Sequence, residues 1–131
     1  MAEALLGLIA GDHFEGHSAG THPAGINPMT VNVMEELGVD VKRCRSKNVT
    51  EFLGQSFDYV VTVCDRGKET CPVFPGARNI RHWSFEDPAA APAQAQPDVF
   101  RRVRDEIADR LCTFLSKDVE LAPSFIRCYR C

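Results

Sequence analysis

The sequence predicts one α/β domain built on a parallel sheet, and three observations support this prediction. Helix-like and strand-like segments alternate along the chain, which is typical of an α/β fold with helices on both faces of the sheet. Residues 59–63 are apolar, β-branched or aromatic throughout, as in a fully buried strand of a parallel sheet. The chain has 131 residues, of which 44% are hydrophobic and 25% charged, so it can bury a core of its own.

The composition also narrows the possible functions. A formal net charge of -3 gives no support to nucleic-acid binding, and no apolar run approaches the length of a membrane span. No basic segment precedes the short apolar stretch at the amino terminus, so we expect no secretion signal and a cytoplasmic protein. The six cysteines are then expected to be reduced at rest, which favours redox chemistry or metal binding over a disulfide scaffold.

The first forty residues are predicted to form a helix, a strand and a second helix. Residues 1–10 repeat apolar side chains at helical spacing, and residues 14–19 are predicted to form a short strand. Asn27 is expected to cap the second helix, with Pro28 at its first position and Gly38 at its end. The side chains expected to face inward in these two helices are Ala2, Leu5, Leu6, Ile9, Thr30, Met34 and Leu37.

A basic patch follows at residues 42–47 and leads to a short helix predicted near residues 50–53. Its four cations are interpreted as a solvated surface, with a position near a bound oxyanion as the alternative. Further along, residues 89–97 are rich in alanine, proline and glutamine, and are interpreted as a connector that varies without cost to a core.

The last helix is predicted over residues 98–117. Apolar residues recur there at steps of three and four, while Arg102 with Glu106 and Glu106 with Arg110 are expected to pair on the exposed face. Cys112 falls inside this helix and is interpreted as inert packing. The residues expected to face the core are Val99, Val103, Ile107, Leu111 and Phe114.

The candidate chemistry lies in residues 58–88. Cys64 comes at the end of the buried strand, where ligands bind in open α/β sheets, and six residues separate it from Cys71. Two cations in that insert, Arg66 and Lys68, would raise the thiolate fraction of a nearby thiol. Asp87, held next to a proline on an aromatic-bearing loop, is a candidate proton donor. Each residue has a simpler interpretation, since a strand-end cysteine is often a small buried hydrophobe and Asp-Pro an ordinary turn.

The tail ends in a second cysteine pair, Cys128 and Cys131. Their C-x-x-C spacing is compatible with a redox pair or with half of a zinc site. A complete zinc site needs two more ligands, so a terminal disulfide or free thiols are expected and no metal or other cofactor is assigned.

The central stretch resembles the thioredoxin-coupled arsenate reductases, which are relatives of the low-molecular-weight tyrosine phosphatases. The resemblance rests on V-T-V-C-D-x(5)-C-P-x-x-P from Val61 and on H-W-x-F-x-D-P-A from His82. Shorter matches are M-A-E-A-L-L at the start, S-A-G-T from Ser18 and I-N-P-M-T from Ile26. It implies a small doubly wound parallel sheet of about four strands flanked by helices. The corresponding division of the chain is a domain at residues 1–117 and a tail at residues 118–131.

The resemblance also implies a mechanism in which three thiols act in turn. A loop cysteine attacks arsenate, Cys64 attacks the thiol-arsenate adduct and releases arsenite, and Cys71 then attacks Cys64. Thioredoxin would reduce the resulting Cys64–Cys71 disulfide. Asp87 matches the general acid of the family, whereas His82 and Trp83 match its motif as packing residues.

The family's first strand and its C-x(5)-R loop have no match in these residues. That loop carries the first nucleophile and wraps an oxyanion in backbone N–H groups, and the printed sequence contains no C-x(5)-R motif. We therefore expect the central first strand of the sheet to be absent, the 131-residue chain to lack arsenate reduction, and unpaired strand edges to promote self-association.

Two alternatives to an arsenate reductase remain at this stage. One is an inactive homologue that binds a partner or exchanges disulfides, and the other is a tyrosine phosphatase relative. The Cys64 and Cys71 pair argues against the phosphatase, since that chemistry needs only the loop nucleophile and the acid. An in-frame C-x(5)-R loop upstream of the Met1 codon would favour the reductase over the inactive homologue.

Overall fold

The computed structural model describes residues 1–20, 23–64 and 76–120. They form three α-helices and two strands: α1 (Ala2–Ala10), α2 (Pro28–Glu35), β1 (Phe57–Cys64), β2 (Ala77–Phe85) and α3 (Gln96–Lys117). Two short 3₁₀ helices, Val49–Phe52 and Pro88–Ala90, precede β1 and follow β2. The predicted α/β class with a small parallel sheet flanked by helices is confirmed.

In the described residues the sheet has two strands, β1 and β2, which run parallel. The register pairs Thr62 with His82 and then Cys64 with Phe85, so β2 carries one extra residue just before its end. Such a bulge bends its strand locally. The sequence did not lead us to predict β2, because its alternation places arginine and asparagine at positions that share a face with Trp83 and Phe85.

The strand predicted at residues 14–19 is wrong. Those residues form no ladder, and Gly20 makes an isolated parallel bridge with Asn48. The bridge consists of Gly20 N–H donating to the Lys47 carbonyl and Val49 N–H donating to the Gly20 carbonyl. Within the described residues no strand pairs with segment 14–19, and an extended segment without such a ladder is not a strand.

The core lies between the helices and one face of the sheet. Leu5 and Ile9 of α1, Met34 of α2 and Leu115 of α3 are fully inaccessible to solvent. Three aromatic rings close this layer against the strands: the Phe114 ring lies 5.1 Å from Tyr59 and 5.4 Å from Trp83, both edge-on. The remaining buried members of the cluster are Ala10, Val41, Val103, Ile107, Ala108 and Leu111.

The opposite face of the sheet is exposed, so the prediction of a fully buried strand is wrong. On that face Val60 is only half-buried and its partner Ile80 on β2 is 56% exposed; on the core face Val61 is half-buried and Val63, near the strand end, is 41% exposed. Since side chains alternate across a strand, covering one face leaves every second residue accessible. The expectation of helices on both faces is likewise not met by the described residues.

The predicted helix ends are confirmed. Asn27 Oδ1 accepts a hydrogen bond from Met29 N–H at 2.8 Å, and Pro28 occupies the first helical position. Gly38 adopts a left-handed φ of 74°, with its N–H donating to the Glu35 carbonyl. Val39 N–H donates to the Met34 carbonyl, which completes a Schellman arrangement at the end of α2.

Helix α3 buries the apolar stripe that the sequence predicted, with Val99 half-buried rather than buried. The predicted Arg102–Glu106 pair forms at 3.0 Å, but Arg110 does not pair with Glu106. Its guanidinium lies 5.5 Å from the centre of the Trp83 ring, a cation–π arrangement. No helix among residues 1–20, 23–64 and 76–120 has the length and hydropathy needed to span a bilayer.

One charged side chain of α3, Arg104, is buried between helices with 8% of its surface exposed. Its Nη1 donates to the Val33 carbonyl at 2.8 Å and to Glu36 Oε2 at 2.7 Å, while Nε donates to Asp105 at 2.9 Å. The guanidinium thus satisfies carbonyl and carboxylate groups at the end of α2, which a buried cation requires.

Candidate active site

The carboxyl ends of β1 and β2 form the candidate site. Cys64 is the last residue of β1, and its Cα is paired in register with that of Phe85, the last residue of β2. Asp87 follows Phe85 by two residues. The fold therefore brings Cys64 and Asp87 to the same edge of the sheet, where ligands bind in open α/β folds.

Asp87 is an exposed residue with one fixed carboxylate oxygen. Its Oδ1 accepts a hydrogen bond from Ala89 N–H at 3.0 Å and so caps the 3₁₀ helix Pro88–Ala90. Oδ2 accepts no hydrogen bond from any residue that the structure describes. Among the described residues, Oδ2 is therefore the oxygen available to a substrate, because Oδ1 faces an N–H donor. The turn-former interpretation and the proton-donor interpretation therefore use different oxygens of the same side chain.

Helix α3 holds residues 86–91, which we call the Asp87 turn, at both ends. On the entry side Glu86 forms an ion pair with Arg102 Nη2, and Arg102 Nη1 also binds Glu106. On the exit side Gln96 Nε2 donates to the Ala89 carbonyl at 3.2 Å and to the Ala91 carbonyl at 3.1 Å. Residues 89–97 therefore do not vary freely as the sequence suggested, because part of this stretch holds the Asp87 turn.

The two aromatic motif residues before the turn behave differently. Trp83 is 5% exposed and packs in the core, as predicted. His82 is exposed on the other face of β2, so its interpretation as a packing residue is wrong. Its Nδ1 lies 2.6 Å from the Thr62 hydroxyl, which joins the two strands next to the bulge.

The basic patch is mostly paired with acids. Lys42 lies 2.6 Å from Glu35, and both Nη atoms of Arg45 bind the carboxylate of Glu51, at 2.7 and 2.8 Å. These pairs are exposed, which agrees with a solvated surface. The alternative of an oxyanion near the patch stays untested.

Lys47 is the partly buried cation of the patch and contacts α1. Its Nζ lies 3.2 Å from Glu3 Oε2, which also accepts a hydrogen bond from the Ser18 hydroxyl. Burial raises the pKa of Glu3, but the hydrogen bonds from Ser18 and Lys47 and the positive charge outweigh it, so the pKa falls below its ordinary value. A carboxylate that is already paired in this way is a structural link between α1 and the loop before Asn48.

An open groove of about 570 Å³ runs between β2 and α3 and reaches Phe85. Trp83 lines it together with acidic and basic side chains of α3. The groove adjoins the candidate site because Phe85 is the Cα partner of Cys64. Its other lining residues are His82, Ser84, Glu106, Asp109, Arg110 and Thr113.

Several predicted residues lie outside the described part of the chain. They are Cys71, the insert at residues 65–70 and the tail cysteines Cys128 and Cys131. Among the residues that the structure describes, no group of three His, Cys, Asp or Glu side chains is placed to hold a metal ion. Cys112 is half-buried and packs against the core, as predicted, and Cys44 is exposed.

Comparison with known proteins places the chain in one family. The model of the low molecular weight phosphotyrosine protein phosphatase family matches residues 1–122. The chain belongs to this family. Within it, the sequence is 40% identical over 116 residues to an arsenate reductase of Halalkalibacterium halodurans, covering 87% of this chain and 84% of the relative. An arsenate reductase of Bacillus subtilis is 36% identical, with the same coverage.

A solved structure supports the same phosphatase-family fold. It is described as an arsenate reductase in its oxidized state and superposes with a TM-score of 0.75 over 88% of this chain and 86% of its own. At 24% identity this likeness concerns the fold alone.

Sequence reasoning missed the residues that hold the Asp87 turn, namely Glu86, Gln96 and Arg102. Gln96 lies in a stretch whose composition resembles a linker, and the Arg102–Glu86 contact spans sixteen residues. The one available signal was position, since both Gln96 and Arg102 are polar residues of the helix that follows the Asp-Pro turn. Position alone does not distinguish an anchor from a solvated residue.

Proposed function

We propose that this chain is an arsenate reductase that uses Cys64 and Cys71 as the second and third thiols of a relay, with Asp87 as general acid. The observation that carries the proposal is the shared sheet edge of Cys64 and Asp87, in a chain 40% identical to an arsenate reductase. The Cys71 spacing supports a thiol relay rather than phosphatase chemistry, which leaves no disulfide behind.

The proposed reaction transfers two electrons from thiols to arsenic. A first thiolate displaces an oxygen of arsenate, and Asp87 protonates that oxygen so that it leaves as water or hydroxide. Cys64 then attacks the sulfur of the adduct, forming a disulfide, while arsenic keeps two electrons and departs as arsenite. Cys71 attacks Cys64 and frees the first thiol. The family resemblance assigns the first thiol to a C-x(5)-R loop, so the proposal gives the residues of this chain the later roles only.

The proposed reductant is thioredoxin, and the proposed compartment is the cytoplasm. A thiolate of thioredoxin attacks the Cys64–Cys71 disulfide, forms a mixed disulfide and then takes over the oxidised state. A reducing compartment returns both thiols to the state in which they can act. The oxyanion substrate class follows from the same family and relatives.

We further propose that the second edge of β1 pairs with another copy of the chain. Within the described residues β2 is the one strand paired with β1, and an unpaired edge favours strand addition. Light scattering after size exclusion is expected to give twice the 14.5 kDa mass of one chain. The Val63→Lys variant is expected to give a smaller fraction of this dimer. A mass of 14.5 kDa at every concentration would contradict this pairing.

Arsenate reduction coupled to thioredoxin tests the proposed function. Two forms are assayed: the 131-residue chain, and the same chain with a family-like strand and C-x(5)-R loop added before Met1. We expect turnover from the extended form, and loss of turnover in its Cys64→Ser and Cys71→Ser variants. Cys44→Ser, at an exposed thiol, is the matched control and is expected to keep full activity.

Disulfide mapping by mass spectrometry gives a second test that does not depend on turnover. Mild oxidation is expected to link Cys64 to Cys71, and thioredoxin is expected to reduce this bond. A Cys64 that stays a thiol while Cys128 and Cys131 oxidise would overturn the relay. Hydrolysis of an aryl phosphate without arsenate reduction would instead favour the phosphatase alternative.

The role of Asp87 is tested with Asp87→Asn. Asparagine keeps an oxygen that can cap Ala89 N–H but cannot deliver a proton, so arsenate turnover is expected to fall by ~10²–10⁴-fold. Thioredoxin reduction of the preformed disulfide involves no such proton transfer and is expected to be unchanged. Full arsenate turnover in the variant would leave Asp87 with its capping role alone.

A further inference from the structure

The Asp87 turn is held by helix α3 through two side chains, those of Gln96 and Arg102. Gln96 Nε2 bridges the carbonyls of Ala89 and Ala91, and Arg102 binds Glu86, the residue directly before Asp87. Arg102 and Glu86 are 49% and 52% exposed, so their pairing has little stabilising value in high dielectric. Their position relative to Asp87 therefore needs another explanation.

Resting on the proposed function, we infer that Gln96 and Arg102 are positioning residues for the general acid Asp87. The two contact opposite ends of a six-residue turn and are six residues apart on one helix, a separation of ~9 Å along its axis. A turn fixed at both ends to a rigid helix has little freedom to shift its middle. Asp87 lies between these fixed ends, with Oδ1 held by Ala89 N–H.

The bonds explain how the anchors act on the carboxyl group. The Ala89 residue that donates to Asp87 Oδ1 is the same residue whose carbonyl accepts from Gln96. A shift of Ala89 would move Oδ1 and with it rotate Oδ2, the carboxylate oxygen that the Ala89 N–H does not hold. Helix α3 is itself fixed in the core through Phe100 and Val103, each 2% exposed. The position of the acid is thus transmitted from the core through α3 to the sheet edge beside Cys64.

The variants are chosen to remove each anchor while leaving the core intact. Gln96→Ala removes both hydrogen bonds to the turn, and Arg102→Met removes the ion pair with Glu86. Matched controls are Gln94→Ala, at an exposed residue near the same helix start, and Arg101→Met, whose guanidinium pairs with Glu36 and Asp98. Because small displacements of a catalytic group cost up to ~10²-fold in rate, we expect a 10- to 100-fold loss of arsenate turnover in each anchor variant.

A double-mutant cycle separates positioning from general structural damage. In the Asp87→Asn background, Gln96→Ala and Arg102→Met are expected to cause less than a twofold further loss, because the acid that they position is already absent. The pH profile of arsenate turnover in each single variant is expected to move towards that of Asp87→Asn. The rate at which thioredoxin reduces the Cys64–Cys71 disulfide in the anchor variants is expected to stay within twofold of the unmodified protein. The arsenate turnover of both control variants is expected to stay within twofold as well.

The outcomes distinguish this inference from the proposed function. Kinetics are measured on whichever of the two forms defined above turns over arsenate. Full turnover in both anchor variants, or an equal loss with and without Asp87, overturns the positioning role and leaves the reductase standing. Absence of arsenate turnover in both forms overturns the proposed function and this inference with it. Ala89 amide exchange in the 131-residue chain reports the anchoring separately, and unchanged exchange in Gln96→Ala would also overturn it.

Discussion

Helix α3 and the strands β1 and β2 carry similar apolar side chains but bury them to very different degrees. Leu115 and Val103 of α3 are 0% and 2% exposed, whereas Ile80 of β2 and Val63 of β1 are 56% and 41% exposed. The helices pack against one another and against one face of the sheet, and in the described residues the other face meets solvent. Burial is thus concentrated in the helices, while the exposed Asp87 follows the end of the less buried sheet.

The largest expected effect is on the buried side of this comparison. Leu115→Ala removes methyl groups from a site closed on all sides and is expected to lower the free energy of unfolding by ~2–5 kcal/mol. Ile80→Ala removes similar groups from the exposed face and is expected to change it by less than about 0.5 kcal/mol. Urea denaturation of the two variants measures the difference. Similar losses in both would mean that the Ile80 side chain is covered in solution.

The contrast between the two regions explains which parts of the fold the sequence could predict. The stripe of α3 and the capped start of α2 follow from spacing and from single residues such as Asn27 and Gly38, so both predictions are confirmed. The burial of residues 59–63 depends on what covers the second face of the sheet, and that is decided by distant segments. A local pattern contains no information on such a cover.

A second effect concerns Arg104, the one buried charged side chain among the residues that the structure describes. Arg104→Met removes hydrogen bonds to the Val33 carbonyl, Glu36 and Asp105 and leaves a buried carbonyl without its donor. Because hydrogen bonds that involve a charged group are worth ~1.5–3 kcal/mol, we expect a loss of ~2–3 kcal/mol in the free energy of unfolding. The measurement is again a urea transition.

The neighbouring arginine provides the matched control. Arg101→Met removes an exposed ion pair with the same Glu36 and is expected to cost less than ~1 kcal/mol. Equal losses at both positions would show that burial of Arg104 does not strengthen its bonds. That result would mean that the buried Arg104 and the exposed Arg101 contribute equally to the free energy of unfolding.

The sequence could predict which chemical groups the candidate site contains, a thiol and a carboxylate, but not which residues hold them in place. Cys64 and Asp87 are candidates from motif and position, and the fold brings them to one edge. The anchors Gln96 and Arg102 were not identified, because their partners are carbonyl groups and a carboxylate of the Asp87 turn. A role that depends on meeting a backbone group across the fold leaves no pattern in the sequence.

The smallest expected effect is a pH dependence at the end of α2. Hydrogen bonds from Arg101 and then Arg104, with their positive charges, hold the pKa of Glu36 below its ordinary value despite partial burial. A lowered folded-state pKa means that the unfolded chain binds this proton more readily. The contribution of Glu36 is therefore complete above its unfolded pKa of ~4.3 and is lost as pH falls through the folded value.

We therefore expect the urea midpoints of the unmodified chain and of Glu36→Gln to differ most near pH 7 and to converge as the pH is lowered below ~4. The difference at neutral pH is expected to stay below ~1 kcal/mol, since one of the two ion pairs is exposed. Glu120→Gln is the control, because the Glu120 carboxylate has no ion-pair partner among the described residues, and the pH dependence of its midpoint is compared with that of Glu36→Gln. A difference for Glu36→Gln that is constant with pH would mean that its carboxylate contributes through packing rather than charge, and would reduce the electrostatic contrast to Arg104 alone.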